Sequence, residues 1–243
     1  MSLDALFPLT PVLDRLRRVS SITVGPDTGS TDVTITALRE ENLLEAAAVL
    51  SAALATETFT ETTFHDRDGR FDRALRRIVE LRLRTYLEVG QPVFVATVDD
   101  RVVGVAIVDR PGFRPSRLRL VRSLVARLPS TLRLLGRADW PGWYRVYRTA
   151  TPPEVLPTAT YTLEAIGIDP DWRGRGIGRS LLEAVQNLVD RDPGTSGVYL
   201  ATTDDLNRDV YRQFGYETVA TKRVDGSCVY HMFRPTDARE SAV

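Results

Sequence analysis

Arg173-Gly174-Arg175-Gly176-Ile177-Gly178 decides the fold of this chain, because it joins two segments with different hydrophobic periods. The apolar run Tyr161–Ile168 before it is typical of a strand, and Ile177–Val189 after it has apolar residues at helical spacing. A glycine-rich turn at this junction presents backbone N–H groups that have no intrahelical partner. Nearby arginines add fixed positive charge (Arg173, Arg175, Arg179). The stretch therefore predicts a diphosphate-binding turn.

The spacing of the glycines separates three kinds of phosphate-binding turn. In a Walker loop, Arg173 would stand in place of the first glycine and Arg179 in place of the lysine. In a dinucleotide fingerprint, Arg179 would stand in place of the third glycine. The pattern Arg-x-x-Gly-x-Gly, at Arg173, Gly176 and Gly178, fits without an exception.

The downstream sequence contains short strand and helix patterns that are separated by turn residues. Val198–Thr202 is typical of a strand, and Asp205–Phe214 is typical of a short helix that ends at Gly215. Two further strands, Tyr216–Thr221 and Cys228–Phe233, flank the turn sequence Val224-Asp225-Gly226-Ser227. The order is strand, turn, helix, strand, helix and hairpin.

This arrangement resembles the acetyl-CoA motif of the GNAT superfamily of N-acetyltransferases. Asn207-x-x-x-Tyr211-x-x-Phe214-Gly215-Tyr216 resembles the signature that closes the GNAT core. The Asn–Tyr spacing, and the Leu-x-Thr before it, are similar to the puromycin N-acetyltransferase type of enzyme. The resemblance covers residues 33–235 and is strongest over 161–216.

The resemblance implies an α/β (α+β) fold, the GNAT acyltransferase fold. Its central sheet is mixed, mostly antiparallel and twisted, is flanked by helices, and is splayed between the strands near 161–168 and 198–202. The upstream pattern predicts the same first half, as a strand, two helices and a hairpin: Val33–Thr36, Glu40–Leu54, Phe71–Val89, Val93–Val98 and Val102–Val108. We expect three parts: an N-terminal appendage and linker at 1–32, with a helical pattern at 13–19, the acetyltransferase domain at 33–235, and a tail at 236–243.

Composition narrows the classes of partner. Lysine plus arginine and aspartate plus glutamate both number 32, so no net charge favours nucleic acid or membrane surfaces. Cys228 is the only cysteine, and His65 and His231 stand far apart, so no metal site is expected. Without a membrane-length apolar run or a secretory signal pattern, we expect a cytoplasmic protein that binds neither nucleic acid nor membrane. A homodimer is left open.

The resemblance assigns the donor, acetyl-CoA (coenzyme A), to the turn and the strand before it. The backbone of the strand end (Ile166, Gly167, Ile168) would pair with the pantetheine arm. The diphosphate would lie on the turn and the helix start (Arg173, Gly174, Arg175, Gly176, Ile177, Gly178, Arg179). Asn207 and Tyr211 would reach the same ligand from the next helix, since residues four apart share a helix face.

Two side chains are candidates for the chemistry. By period-two alternation Glu164 shares a strand face with Thr162, Ile166 and Ile168, and we expect it to be partly buried and to face the cleft. Burial would raise its pKa and suit it to general-base work, whereas a carboxylate paired with an arginine at the sheet surface is the alternative. Tyr211 would act as general acid toward the leaving sulfur, or serve as a core aromatic.

Residues 111–150 leave their role open. Nine arginines there face a single acid, Asp139, which suits an anionic partner or a solvated helix face. The aromatic residues that follow suit a core, an interface or an acceptor pocket (Trp140, Trp143, Tyr144, Tyr147).

The expected function is transfer of an acetyl group from acetyl-CoA to a primary amine of a small molecule, antibiotic-like or metabolite, by direct attack in a ternary complex. A protein N-terminal or lysine amine is the alternative acceptor. A CoA-binding sensor that keeps the turn without turnover is the alternative from a different class.

Overall fold

The computed structural model describes residues 22–23, 32–55, 69–113, 151–224 and 227–236. The helical pattern at 13–19, most of the predicted appendage, His65, and residues 114–150 with their arginines and aromatics lie outside the described residues. The tail from residue 237 onward also lies outside them.

Eight strands and four α-helices make up the described part of the chain. The strands are β1 Ile22–Thr23, β2 Thr34–Ala37, β3 Val93–Val98, β4 Arg101–Asp109, β5 Thr160–Ile168, β6 Gly197–Thr202, β7 Glu217–Val224 and β8 Ser227–Pro235. The α-helices are α1 Leu43–Ala55, α2 Gly69–Glu88, α3 Ile177–Asp190 and α4 Asp205–Gln213, with 3-10 turns at Glu40–Asn42 and Pro170–Trp172. The helices and strands predicted between residues 33 and 235 are present, with modest differences at their ends.

All eight strands form one sheet in the order β1-β2-β3-β4-β5-β6-β8-β7. Neighbouring strands are antiparallel except β5 and β6, which are parallel. The predicted mixed, mostly antiparallel sheet flanked by helices is therefore confirmed. The dipeptide β1 pairs with β2, so Ile22 and Thr23 extend the sheet edge.

Helices cover both faces of the sheet and divide its core in two. The face covered by α1 and α2 buries one set of side chains, which includes Leu43, Leu83 and Val95. The face covered by α3 buries the other set, which includes Phe94, Ile177 and Leu181. Because β3 and β4 are covered on both sides, their residues are almost all buried and their sequences read as continuous apolar runs.

Gly197 begins β6 in a backbone conformation that only glycine adopts easily. Its φ is +148°, and a Cβ there would overlap the Arg234 carbonyl oxygen and lie 2.8 Å from Phe233 Cζ. We expect Gly197→Ala to lower the free energy of unfolding by about 2–3 kcal/mol, from backbone strain and steric overlap. Urea denaturation checks this, with Gly194→Ala as the control because its nearest neighbour is the Asp192 side chain at 3.3 Å. Equal losses in the two variants would contradict the steric argument.

Candidate active site

The glycine-rich turn between β5 and α3 has the open shape that the sequence predicts. Gly174 and Gly176 have φ values of +77° and +80°, and a Cβ built on either would meet no atom within 4 Å. Gly176 is the N-cap of α3 and supplies no side-chain cap, so the first turn of the helix keeps its N–H groups available for a ligand. The turn thus combines a helix N-terminus with backbone free of side-chain cover.

Contacts around the turn fix its position against the sheet. Ile177 is buried, and a Cβ at Gly178 would lie 3.1 Å from Ile168 Cδ1, so this glycine lets α3 approach the end of β5 closely. The Arg175 guanidinium stacks over Trp172 at 4.7 Å from the ring centroid, and Arg179 lies 5.1 Å from that of Phe214. These cation–π contacts hold two arginines at the rim of the turn.

The sheet forks directly upstream of this turn. Strands β5 and β6 pair only at their starts, from Thr160 with Gly197 to Thr162 with Tyr199. On its other edge β5 pairs with β4 as far as Ile168. Among the described residues, the edge of β5 from 163 to 168 therefore has no strand partner on the β6 side. The predicted splay is confirmed, and we call the pair Thr162–Tyr199 the apex of the fork.

A β-bulge lies next to the apex. Val108 is opposite Leu163 and Ile107 is opposite Ala165, so Glu164 is an extra residue on β5. Before the bulge, Leu163 packs with the α3-side core, and after it, Ile166 does so instead. Strict alternation therefore fails, and the prediction that Glu164 shares a face with Ile166 and Ile168 is wrong, because the inserted residue reverses the parity of the strand.

Glu164 lies on the side of the sheet that α2 covers, as Thr162 does. Its Oε2 lies 2.7 Å from Arg82 Nη2, and the two side chains are 35% and 37% exposed. Glu164 is therefore partly open to solvent, and an arginine from α2 supplies its charge partner. The structure thus shows the alternative arrangement, in which the carboxylate is paired with an arginine at the sheet surface.

Three residues that the sequence reasoning missed join Glu164 on this side of the sheet. Arg82 Nη2 also donates to the Tyr86 hydroxyl at 3.3 Å, and the Asp109 side chain lies near that hydroxyl. Asp109 ends β4 opposite Thr162, beside the apex. Burial, helped by the negative charge of Glu164, raises the pKa of Asp109 to about 6. Two features of the sequence could have indicated these residues. One is an acid at the end of an apolar strand, and the other is an arginine and a tyrosine four residues apart on a helix.

Tyr199 lies across the apex from β5. Its hydroxyl is 2.7 Å from His231 Nδ1, and both residues are buried. Burial, and secondarily the negative charge of Glu164, raise the pKa of the Tyr199 phenol above its ordinary value. Tyr199 is thus protonated at neutral pH and within electrostatic reach of Glu164.

Helix α4 follows β6, the second arm of the fork. Asp204 caps it by accepting from the backbone N–H groups of Leu206 and Asn207 at 2.7 and 3.1 Å. Asn207 is exposed, whereas Tyr211 is half-buried, with its ring centroid 5.7 Å from that of Tyr216. Gln186 of α3 donates to the Phe214 carbonyl at 2.8 Å, so the end of α4 is tied to the helix that begins at the turn.

The described residues contain no group of three or more His, Cys, Asp and Glu side chains that could hold a metal ion. None of the described helices is both long and apolar enough to cross a membrane.

Solved structures of other proteins share this fold. One is a protein from Corynebacterium glutamicum described as histone acetyltransferase HPA2 and related acetyltransferase. Its TM-score is 0.60 and its identity 19%, over 84% of this chain and 96% of that one. A mosquito arylalkylamine N-acetyltransferase like 5b is similar with a TM-score of 0.51, at 17% identity over 84% of this chain and all of that one (100%).

Sequence comparison points to the same group. The N-alpha-acetyltransferase RimI of Mycobacterium tuberculosis is 38% identical over 84 residues, which is 32% of this chain. The matched part spans about half (51%) of that relative's length. The model of the acetyltransferase (GNAT) family matches residues 55–216, which include the fork, the glycine-rich turn and α4. The chain therefore belongs to the GNAT family of acetyltransferases and is an acyltransferase enzyme.

Proposed function

We propose that this enzyme transfers the acetyl group of acetyl-CoA to a primary amine, with a small-molecule amine as the first acceptor class. The observation that carries the proposal is the fork, whose open arm on β5 leads directly into the uncovered turn at Gly174 and Gly176. The fork offers unpaired strand edge to an amide-containing chain, and the turn offers N–H groups and arginines to a diphosphate.

The residues present fit acetyl-CoA. The backbone of Ile166, Gly167 and Ile168 would pair with the pantetheine amides, because β6 has diverged from this part of β5. Arg173, Arg175 and Arg179 would complement the diphosphate on the turn, which Gly174, Gly176, Ile177 and Gly178 shape. Asn207 would approach from α4. When bound, acetyl-CoA supplies an acetyl thioester, which is activated toward attack by an amine.

We expect Arg173→Ala to weaken coenzyme A binding by about 10- to 100-fold, the range for one hydrogen bond to a charged group. Arg173 is exposed at the start of the turn, so its loss should leave the fold intact. Isothermal titration with coenzyme A checks this. Arg191→Ala is the matched control, because Arg191 is also exposed but caps the opposite end of α3. An unchanged dissociation constant for Arg173→Ala would count against the diphosphate site.

Glu164 and Tyr211 are the proposed acid–base pair. Glu164 lies at the bulge beside the apex and would accept the proton of the incoming amine, directly or through a water. Tyr211 lies on the helix that follows the opposite arm and would donate its phenolic proton to the departing thiolate. A backbone N–H near Ile168 would stabilise the developing oxyanion.

The carboxylates at the apex support an amine acceptor. Glu164 and Asp109 face a single guanidinium, Arg82, so the cluster carries one more acid than base when all three are ionised. A protonated amine would balance that charge. Such a cluster also suits the α-amine of a protein, and the similarity to the RimI enzyme of Mycobacterium tuberculosis favours that class as the second candidate.

A thiol-release assay with acetyl-CoA tests the function and separates the acceptors. The panel comprises puromycin, tyramine, a hexapeptide with a free N-terminal alanine, and an N-terminally blocked peptide with one lysine. Release with puromycin or tyramine supports the small-molecule acceptor, and release with the alanine peptide alone supports the protein α-amine. Coenzyme A binding with no release for any amine would favour a sensor and contradict the proposed function.

A further inference from the structure

We propose that Asp109 is a positioning residue of the acceptor site, which acts through Tyr86 and Arg82 to hold Glu164 at the apex of the fork. This inference rests on the proposed function, because it assigns a role to a residue in the proposed deprotonation of the amine. Neither the acid–base pair nor the donor site uses Asp109.

Four polar side chains from three elements lie next to one another. Asp109 on β4 lies near the Tyr86 hydroxyl on α2, which accepts from Arg82 Nη2 at 3.3 Å. The same nitrogen donates to Glu164 Oε2 at 2.7 Å. A tyrosine hydroxyl that accepts from a guanidinium has its own proton left, and in this proposal it donates that proton to Asp109.

Packing keeps these side chains in place. The Tyr86 ring is buried and meets Phe113 edge-on, with centroids 5.8 Å apart. The Arg82 guanidinium lies 5.4 Å from the centroid of the Tyr86 ring, so the arginine contacts both the face and the hydroxyl of the tyrosine. Burial raises the pKa of the Tyr86 phenol, which keeps its donor proton at neutral pH.

One oxygen of Asp109 lies outside these contacts. Its Oδ1 is buried and has no hydrogen-bond partner within the part of the chain that the structure describes. A buried acceptor without a donor is costly, and such atoms persist where a function requires them. Because Asp109 stands opposite Thr162, that buried oxygen lies beside the apex of the fork.

The ionisation of Asp109 should set the lower pH limit of the reaction. The groups that face it are Tyr86 and Arg82 from α2 and Glu164 from β5, and burial dominates in raising its pKa to about 6. Below that pH the neutral acid no longer draws the Tyr86 proton, and the hold on Arg82 weakens. We therefore expect kcat/KM for the amine to rise with pH through about 6.

The test compares Asp109→Asn, Tyr86→Phe and the double variant, with the amine from the panel that gives the fastest thiol release. Each single variant should lower kcat/KM by about 10- to 100-fold, as expected for a lost hydrogen bond to a charged group. The double variant should lose no more than either alone, because both changes break the same proposed connection. Asp109→Asn should also abolish the rise near pH 6, whereas Asp109→Glu should restore part of the activity.

A stability readout separates this role from a purely structural one. The pKa of Asp109 is raised above the ordinary 3.8, so the folded state binds this proton more tightly than the unfolded chain. Its contribution to stability is present at low pH and is lost as pH rises through about 6. Asp109→Asn should remove that slope, and the variant should be folded at pH 7. Asp100→Asn, in the turn at the other end of β4, is the matched control for both readouts.

Three outcomes decide the matter. Non-additive losses together with a changed pH profile support the proposal. Multiplicative losses, or an unchanged profile in a folded Asp109→Asn variant that still acetylates the amine, overturn this inference and leave the proposed function standing. If the unaltered enzyme binds coenzyme A but acetylates no amine of the panel, the proposed function fails and this inference fails with it.

Discussion

Replacing Glu164 with glutamine is expected to lower kcat by about 10²- to 10⁴-fold, the range for loss of a general base. Glutamine keeps the shape of the side chain and a carbonyl oxygen that accepts from Arg82, but it cannot take the proton of an ammonium. The bulge and the fork should therefore persist, and coenzyme A should bind as before. Thiol release under saturating acetyl-CoA measures the loss.

The matched control for this prediction is Glu80→Gln. Glu80 lies on α2 and pairs with Arg84 at 3.2 Å, an ion pair of the same type whose two residues lie two positions before and after Arg82. The pKa values of Asp109 and Tyr199 are raised by burial and then by the charge of Glu164. Glu80 contributes to neither shift and has no proposed role in proton transfer, so turnover should stay within experimental error of the unaltered enzyme. A Glu164→Gln variant with unchanged kcat would remove Glu164 from the chemistry and leave it as a surface ion pair of little energetic consequence.

Glu164 illustrates which features of the site can be predicted from the sequence and which cannot. Alternation along Tyr161–Ile168 correctly predicts a strand, because the apolar character of the run survives the inserted residue. It cannot reveal the insertion itself, since the bulge arises from how β5 pairs with β4. A single extra residue leaves Glu164 on the face covered by α2, with Thr162, and places Ile166 and Ile168 on the face covered by α3.

The sequence predicts the glycine-rich turn better than it predicts the surroundings of Glu164. Positive φ values at Gly174 and Gly176, an N-cap without a side chain and a helix that starts at Ile177 all follow from local preferences of glycine. The acceptor side depends on Arg82, Tyr86 and Asp109, which are brought to Glu164 by packing between α2 and the sheet. Contacts between residues that lie far apart in sequence leave little trace in a single chain.

The same distinction applies to the fold. Strands β3 and β4 were predictable as a hairpin because they are covered on both faces and read as apolar runs on either side of Asp99-Asp100-Arg101. Their neighbours in the sheet, and the divergence of β5 from β6 after Thr162, came from the resemblance to a known family. Periodicity determines which segments form strands but does not determine their order.

Replacing Tyr211 with phenylalanine is the second change with a large expected effect, a loss of about 10- to 10³-fold in kcat, within the range for a general acid. The ring packs against Tyr216 and the α3-side core, and phenylalanine retains that packing. Only the hydroxyl is lost, so the departing thiolate of coenzyme A would have to take its proton from water. The free energy of unfolding and the affinity for coenzyme A should change little.

The leaving group provides a sharper measurement for this variant. If Tyr211 protonates the thiolate, a donor with a more acidic thiol should need that proton less, and the variant should recover much of its rate with it. Acetyl thioesters of graded thiol acidity, compared between the two enzymes at one pH, test this dependence. Tyr230→Phe is the control, because Tyr230 donates to Asp205 at 2.6 Å at the start of the same helix and has no proposed role in proton transfer. An equal loss with every donor would assign Tyr211 to positioning rather than to proton transfer.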